Sequence, residues 1–175
     1  MKKKTYNIVS CGVMTALIAV LSLISIPLPS GVPITLQTFV IALAGFFLGS
    51  GFSAVSVAAY IVIGAIGLPV FSGFKGGLSV LTGYTGGFIL GFILLAALCG
   101  LKRDKLWLNL IFAVIGLALC HFCGTLQYMF LANMEFIPAF LLVSSPYLIK
   151  DIISIGIAKW IAVIMLKATD KIKKS

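Results

Sequence analysis

Residues 107–131 read WLNLIFAVIGLALCHFCGTLQYMFL and decide the fold class of this chain. The stretch contains no Asp, Glu, Lys or Arg. It exceeds the roughly 20 residues that an α-helix needs to cross a bilayer. Because an open strand would leave backbone groups unpaired in lipid, the stretch is predicted to cross as a helix.

Five further apolar runs accompany this one. The predicted spans are residues 6–26, 34–48, 52–68, 81–101, 107–131 and 147–166. The second and third are short, and together they could form one re-entrant unit, but two separate spans are preferred. The chain is 61% hydrophobic and only 10% charged, whereas soluble domains carry about 25% charged residues. We therefore expect an all-α integral membrane protein that forms a single domain over residues 1–175.

Basic residues predict the orientation of the spans. Ten of the thirteen lie in three clusters, at residues 2–4, 102–105 and 167–174, which six spans would place on one side. The positive-inside rule makes that side, and both termini, cytoplasmic. The same clustering at span ends explains the net charge of +9 without nucleic-acid binding. The chain is thus predicted to be a multi-pass protein of the cell membrane.

All six prolines fall on the predicted outer side. The outer loops, at residues 27–33, 69–80 and 132–146, are longer than the inner connections. Long loops over a helical bundle are a common place for a binding site. The alternative is that these loops merely connect helices.

Asp151 is the one acidic residue that falls inside a predicted span. A charge in the membrane costs at least about 2.5–3.5 kcal/mol at its centre, so it marks a candidate functional site. Asp151 is expected one turn into the last span, as a ligand contact near the outer surface. The competing interpretation is a structural ion pair with Lys150 or with another span, although adjacent residues on a helix point to different faces. Lys159 is placed deeper, where it could snorkel, contact a partner or line a pocket.

Other candidate ligand contacts lie at the same outer level. The fourth span opens with glycines that permit close backbone approach to a ligand or to another helix. Gln37 would contact either a ligand or a neighbouring helix, and two loop phenylalanines would form apolar walls. These candidates are Gly83, Tyr84, Thr85, Gly86, Gly87, Gln37, Phe71 and Phe74.

Small residues recur at four-residue spacing in the first span. Gly12 and Ala16 form one pair, and Thr15 and Ala19 form another. Such spacing lets a second helix approach closely. That helix can belong to this chain or to a separate subunit.

Several chemistries are disfavoured. Cys120-His121-Phe122-Cys123 offers at most three metal ligands inside an apolar run, and it is interpreted as small core residues with one helix-packing histidine. There is no Gly-Lys dipeptide, hence no phosphate-binding P-loop. One intramembrane carboxylate is too few for a two-carboxylate hydrolase. No enzyme activity, cofactor or metal is predicted.

Four motifs occur in order along the chain: Ile26-Pro27-Leu28-Pro29, then residues 32–39 (VPITLQTF), residues 64–71 (GAIGLPVF) and residues 83–88 (GYTGGF). Together they resemble the BioY family of biotin-specific substrate-capture (S) components of energy-coupling factor (ECF) transporters. The resemblance extends over essentially the whole chain.

The resemblance implies a six-helix S component that captures biotin with high affinity from outside and delivers it into the cell. It implies two kinds of partner, a transmembrane coupling subunit and two ATPase subunits. The face of Gly12, Ala16 and Ala19 resembles the surface that meets the coupling subunit. The first outer loop resembles a lid. Alternatives are an S component for another small vitamin, or a small membrane enzyme acting on lipid-linked substrates.

The chain departs from the family pattern at two places. Tyr84 stands where the family usually has proline, and Phe88 where it has tyrosine. Asp151 matches the family's aspartate, but Ser154 replaces the lysine that often follows three residues later. Lys150 is the candidate substitute, on a different face of the helix, for a ligand contact.

Overall fold

The computed structural model describes the backbone of residues 3–101 and 105–174, with side chains over residues 5–101 and 105–169. Along the chain the elements are α1 (Lys3–Leu23), β1 (Ser25–Ile26), β2 (Ile34–Thr35), α2 (Gln37–Leu48), α3 (Ser50–Ala65), α4 (Leu78–Leu81), α5 (Gly86–Cys99), α6 (Leu106–Ala132), α7 (Phe136–Val143) and α8 (Ser145–Lys174). The predicted inner-loop residues Lys102, Arg103 and Asp104 lie outside the described residues.

The six predicted apolar runs correspond to α1, α2, α3, α5, α6 and α8. Within the described residues, three of these helices are long and apolar enough to cross a membrane, at Thr5–Leu23, Leu106–Ala132 and Ser145–Thr169. Three shorter apolar helices lie at Gln37–Leu48, Ser50–Ala65 and Gly86–Cys99. The chain is therefore a mostly helical protein with several candidate membrane spans.

The outer loops contain more regular structure than the sequence predicts. Strands β1 and β2 pair antiparallel, Ser25 with Thr35 and Ile26 with Ile34, and so close the base of the first outer loop. This pair is a small departure from the predicted all-α fold. The third predicted outer loop, residues 132–146, contains a short helix, and Pro138 lies within it, in α7. A proline in the first turn of a helix lacks only an N–H that has no helical partner there.

Close helix contacts hold the bundle together. The tightest pair is α5 with α6, and α2 packs mainly on α8 while α1 packs on α3. On α5, a Cβ atom at Gly87 or Gly91 would overlap the backbone of α6 at Cys123 or Cys120. These glycines therefore let α5 and α6 approach closely. Of the two roles predicted for the glycines at the start of this span, approach to a helix is the one seen at Gly87.

The structure gives Lys159 a specific contact. Its Nζ lies 4.8 Å from the centroid of the Phe46 ring, on the facing helix α2. An ammonium over an aromatic face is attracted by the ring quadrupole. Among the three roles left open for Lys159, contact with a partner helix is the observed one.

Candidate binding cavity

A cavity opens at the end of the bundle that carries the β1–β2 loop. The empty space at this site, including open solvent at its mouth, is about 740 Å³. Its walls come from the β1–β2 loop, α2, the segment between α3 and α4, α5, α6 and the start of α8. Of the sequence-predicted ligand contacts, Gln37, Phe71, Thr85, Lys150 and Asp151 line it. A concave site with a mostly apolar lining and a few polar groups is typical of small-molecule binding.

Asp151 forms the polar end of the cavity and is only 3% exposed. Its Oδ2 lies 3.1 Å from His121 Nε2, and its Oδ1 lies 2.5 Å from Lys150 Nζ. The approach of Nζ to Oδ1 is an ion pair outside ideal hydrogen-bond geometry, and the Thr38 side chain also lies near the carboxylate. The structural-pair interpretation of Asp151 is thus observed, and Asp151 also lines the cavity.

The expectation that Lys150 points away from Asp151 is wrong. The two Cα–Cβ bonds do diverge on a helix, but the four-carbon stem of lysine is flexible enough to return. The ammonium reaches Asp151 and also donates to the backbone carbonyl of Thr35 in β2, at 3.0 Å. Lys150 therefore joins the polar end of the cavity to the base of the β1–β2 loop.

Aromatic side chains supply the apolar walls. Phe71 is 1% exposed and meets Tyr60 edge to face, with ring centroids 5.4 Å apart. A Cβ atom at Gly64 would overlap the Phe71 ring, so this glycine makes room for the ring against α3. Phe88 and Phe92 of α5 line the opposite wall.

Phe74, by contrast, lies outside the cavity lining. It is 69% exposed and has φ +58°, at the tip of a tight turn in which Phe71 and Lys75 exchange backbone hydrogen bonds. Reversing the chain at this tip directs the side chain outward, so only one of the two predicted phenylalanine walls is present.

Residues 83–87, the glycine motif, differ in their position relative to the cavity. Thr85, the N-cap of α5, lines the cavity. A Cβ atom at Gly86 would overlap the Leu81 carbonyl, so Gly86, like Gly87, serves close packing rather than the cavity. Gly83 accepts a hydrogen bond from Gln127. Tyr84 stacks at a tilt on Tyr128, outside this cavity.

Gln37 bonds a neighbouring helix, which is one of its two predicted roles, and it also lines the cavity. Its Nε2 donates to Tyr60 Oη at 3.0 Å on α3, and its Oε1 accepts from Thr35 Oγ1 at 3.0 Å. The hydrogen bonds with Tyr60 and Thr35 therefore fix the orientation of the Gln37 amide in the absence of a ligand.

Two tyrosine hydroxyls hold the loop over the cavity, here called the capping loop (residues 27–33). Tyr147 Oη donates to the Val32 carbonyl at 2.5 Å, and Tyr128 Oη donates to the Ser30 carbonyl at 3.1 Å. Val32 and Pro33 of this loop line the cavity. The capping loop is thus latched to α6 and α8.

Sequence reasoning did not identify several cavity residues. Ser72 lines the cavity, and its Oγ is buried without a hydrogen-bond partner. Lys75 also lines it and is exposed, which places a cation at the open end. His121 was interpreted as a packing residue, but it contacts Asp151 and the cavity. A serine or lysine in a loop gives no signal of this kind until the loop is folded over the bundle.

A second, shallower groove runs between α1 and α3. Gly12, Ala16 and Ala19 line it from α1, with Val55 and Ala59 from α3. A Cβ atom added at Gly12 would meet nothing within 4 Å. Among the described residues, no helix therefore fills the predicted small-residue face at Gly12.

Comparison with known proteins agrees with this architecture. A sequence model of the BioY family matches residues 1–171. The chain is 38% identical to "Biotin transporter BioY" of Thermotoga maritima over 92% of this chain and 96% of that protein. It is 36% identical to "Probable biotin transporter BioY" of Pyrococcus horikoshii over 93% and 96%. These relatives are named as transporters, not enzymes.

A solved structure, described as the S-component for biotin from an ECF-type ABC transporter, matches with a TM-score of 0.78. Sequence identity is 27%, and the match covers 92% of this chain and 94% of that one. The family match over residues 1–171 includes both the polar end of the cavity at Asp151 and the capping loop. The chain belongs to the BioY family.

Proposed function

We propose that this chain captures biotin from outside the cell, as the substrate-specific S component of an ECF transporter. The observation that carries the proposal is the polar end of the cavity, where Asp151 Oδ1 lies beside the Lys150 ammonium. A cyclic urea presents an N–H donor next to a carbonyl acceptor. Its N–H would donate to the Asp151 carboxylate, and its carbonyl would accept from the Lys150 ammonium.

The remaining cavity suits the rest of biotin. The fused ring system is apolar apart from the urea edge, and it would lie between Phe71 and Phe88. The valerate tail would extend toward the open end, where Lys75 offers a cation and Thr85 and Ser72 offer hydroxyls. Recognition of this kind needs no catalytic group.

Binding of labelled biotin to the purified protein tests the proposal. Unlabelled biotin should displace the label, whereas riboflavin, thiamine and biotin methylated on both ureido nitrogens should not. The methylated analogue keeps the size and tail of biotin but loses the N–H donors. Tight binding of another vitamin with no biotin binding would overturn the ligand assignment and favour an S component for that vitamin.

We further propose six spans with both termini in the cytoplasm, the three shorter helices completing the bundle. Single cysteines introduced at Lys75 and Glu135 should react with an impermeant thiol reagent from outside, on a background without native cysteines. A cysteine at Asp104 should react only after the membrane is opened. Outside labelling at Asp104 would contradict this topology.

The coupling subunit, which works with two ATPase subunits, is proposed to dock on the groove between α1 and α3. Ala16→Trp would fill the groove and should abolish biotin uptake and co-purification of the coupling subunit, while biotin still binds. Val13→Trp is the matched control, because Val13 is 60% exposed on α1 but does not line the groove. Equal loss of binding and uptake in Ala16→Trp would assign the face to internal packing.

A further inference from the structure

His121 lies at the centre of a chain of buried polar contacts. It is 5% exposed and is the single histidine of the sequence. Its Nε2 lies 3.1 Å from Asp151 Oδ2, and its Nδ1 lies 3.0 Å from Ser144 Oγ. The ring of Phe88 meets the imidazole edge to face, with centroids 5.7 Å apart. Both ring nitrogens thus have a polar partner, and the ring plane is fixed.

The contacts also fix where the protons lie. An ionised carboxylate only accepts, so Nε2 must carry a proton and donate it to Asp151. A second proton on the ring would add a cation beside Lys150, with a single buried carboxylate to balance two charges, which is costly. Nδ1 is therefore an acceptor, and Ser144 donates to it. Thr125 Oγ1, 2.8 Å from Ser144 Oγ, then donates to Ser144.

The hydrogen bonds therefore run in one direction, from Thr125 through Ser144 and His121 to Asp151. Bonds aligned in this way polarise one another. They also occupy Oδ2 alone. Without the imidazole, the carboxylate would lose the contact that fixes Oδ2 and could turn further toward the Lys150 ammonium.

We propose that His121 is a positioning residue that sets the ligand specificity of the cavity through Asp151. It holds Oδ2 so that Oδ1 remains an acceptor, and the cavity then selects ligands that present an N–H donor at this end. This inference rests on the proposed function for the identity of the ligand, biotin. The positioning itself is a property of the chain alone.

A double-mutant cycle tests the inference with biotin as the probe. His121→Leu should weaken binding by roughly 10- to 100-fold, as expected for losing a hydrogen bond to a charged group. His121→Gln, whose amide can donate from nearly the position of Nε2, should restore most of the affinity. In an Asp151→Asn background, His121→Leu should add less than about threefold. Independent, multiplying effects of the two substitutions would overturn the inference.

A measurement on the unmodified protein covers the case in which His121→Leu does not fold. Labelling with ¹⁵N-histidine gives the imidazole signals of one residue only, provided that the purification tag is removed. The expected tautomer carries its proton on Nε2, and Asp151→Asn should shift these signals. An Nδ1–H tautomer would overturn the positioning role even if biotin binds. A correct tautomer without biotin binding would instead overturn only the proposed function.

Discussion

The two tyrosine latches predict how fast a bound ligand leaves. The capping loop covers the cavity, and two hydroxyl-to-carbonyl hydrogen bonds hold it, from Tyr147 to Val32 and from Tyr128 to Ser30. A typical hydrogen bond contributes about 1 kcal/mol net, which is about a fivefold change in an equilibrium constant. Tyr147→Phe and Tyr128→Phe should therefore each speed biotin dissociation about fivefold. The double variant should speed it about 30-fold if the latches act independently.

Dissociation of labelled biotin, chased with excess unlabelled biotin, measures this rate directly. Association should be unchanged or faster, because an open loop exposes the cavity. Loss of a direct ligand contact would likewise raise the dissociation rate, but it would give no reason for faster association. Tyr84→Phe is the control, since Tyr84 stacks on Tyr128 and its hydroxyl makes no hydrogen bond to the described residues.

Unchanged dissociation in both latch variants would refute the reasoning. The capping loop would then be held by its apolar contacts, with Val32 buried at 7% exposure, or by the β1–β2 pair. Equal acceleration in Tyr84→Phe would show that the rate responds to any change at this surface.

Two further predictions concern the walls and the mouth of the cavity. Gly64→Ala puts a methyl group into the Phe71 ring, which should lower the free energy of unfolding by about 1–3 kcal/mol and weaken biotin binding. Gly51→Ala, on the same helix with nothing within 4 Å of the added Cβ, should do neither. Lys75→Ala should weaken binding of biotin severalfold but leave binding of uncharged biotin amide unchanged, as titration calorimetry would show. Equal losses for both ligands would exclude a charge contact at Lys75.

The helices were predictable because each is an apolar run bounded by charges, glycines or prolines. The bounds of α6, Leu106–Ala132, extend the predicted span by one residue at each end. Lipid-facing helices must be apolar over most of their surface, so the pattern depends little on what they pack against. The loops were less predictable, because their short elements form only where the bundle covers them.

The cavity was only partly predictable, because loops that fold over the bundle form much of its wall. An acidic residue in a span stands out, and Asp151 does lie at the polar end of the cavity. A glycine motif is ambiguous, since Gly86 and Gly87 could equally admit a ligand or a helix; the structure places Gly86 against Leu81 and Gly87 against α6. A helical wheel gives only the direction of each Cα–Cβ bond. The contact between Lys150 and Asp151 depends on the side-chain torsions of lysine, so it could not be predicted in this way.

The short helices explain why this cavity is built from loops and held by side chains. Helices α2 and α5 have 12 and 14 residues, or about 18 and 21 Å of helix, against a hydrocarbon core of about 30 Å. In the proposed six-span topology, irregular backbone fills the difference, and at that depth its polar groups need partners within the protein.

Long side chains of the neighbouring helices α6 and α8 provide those partners. Gln127 donates to two carbonyls just before α5, and Lys150 donates to Thr35 just before α2. Tyr128 and Tyr147 serve the capping loop in the same way. Because α2 and α5 are short, space for a ligand remains beyond their ends. The side chains that donate to the loop carbonyls also line or border that space. Replacing any of them therefore changes both the local backbone and the site.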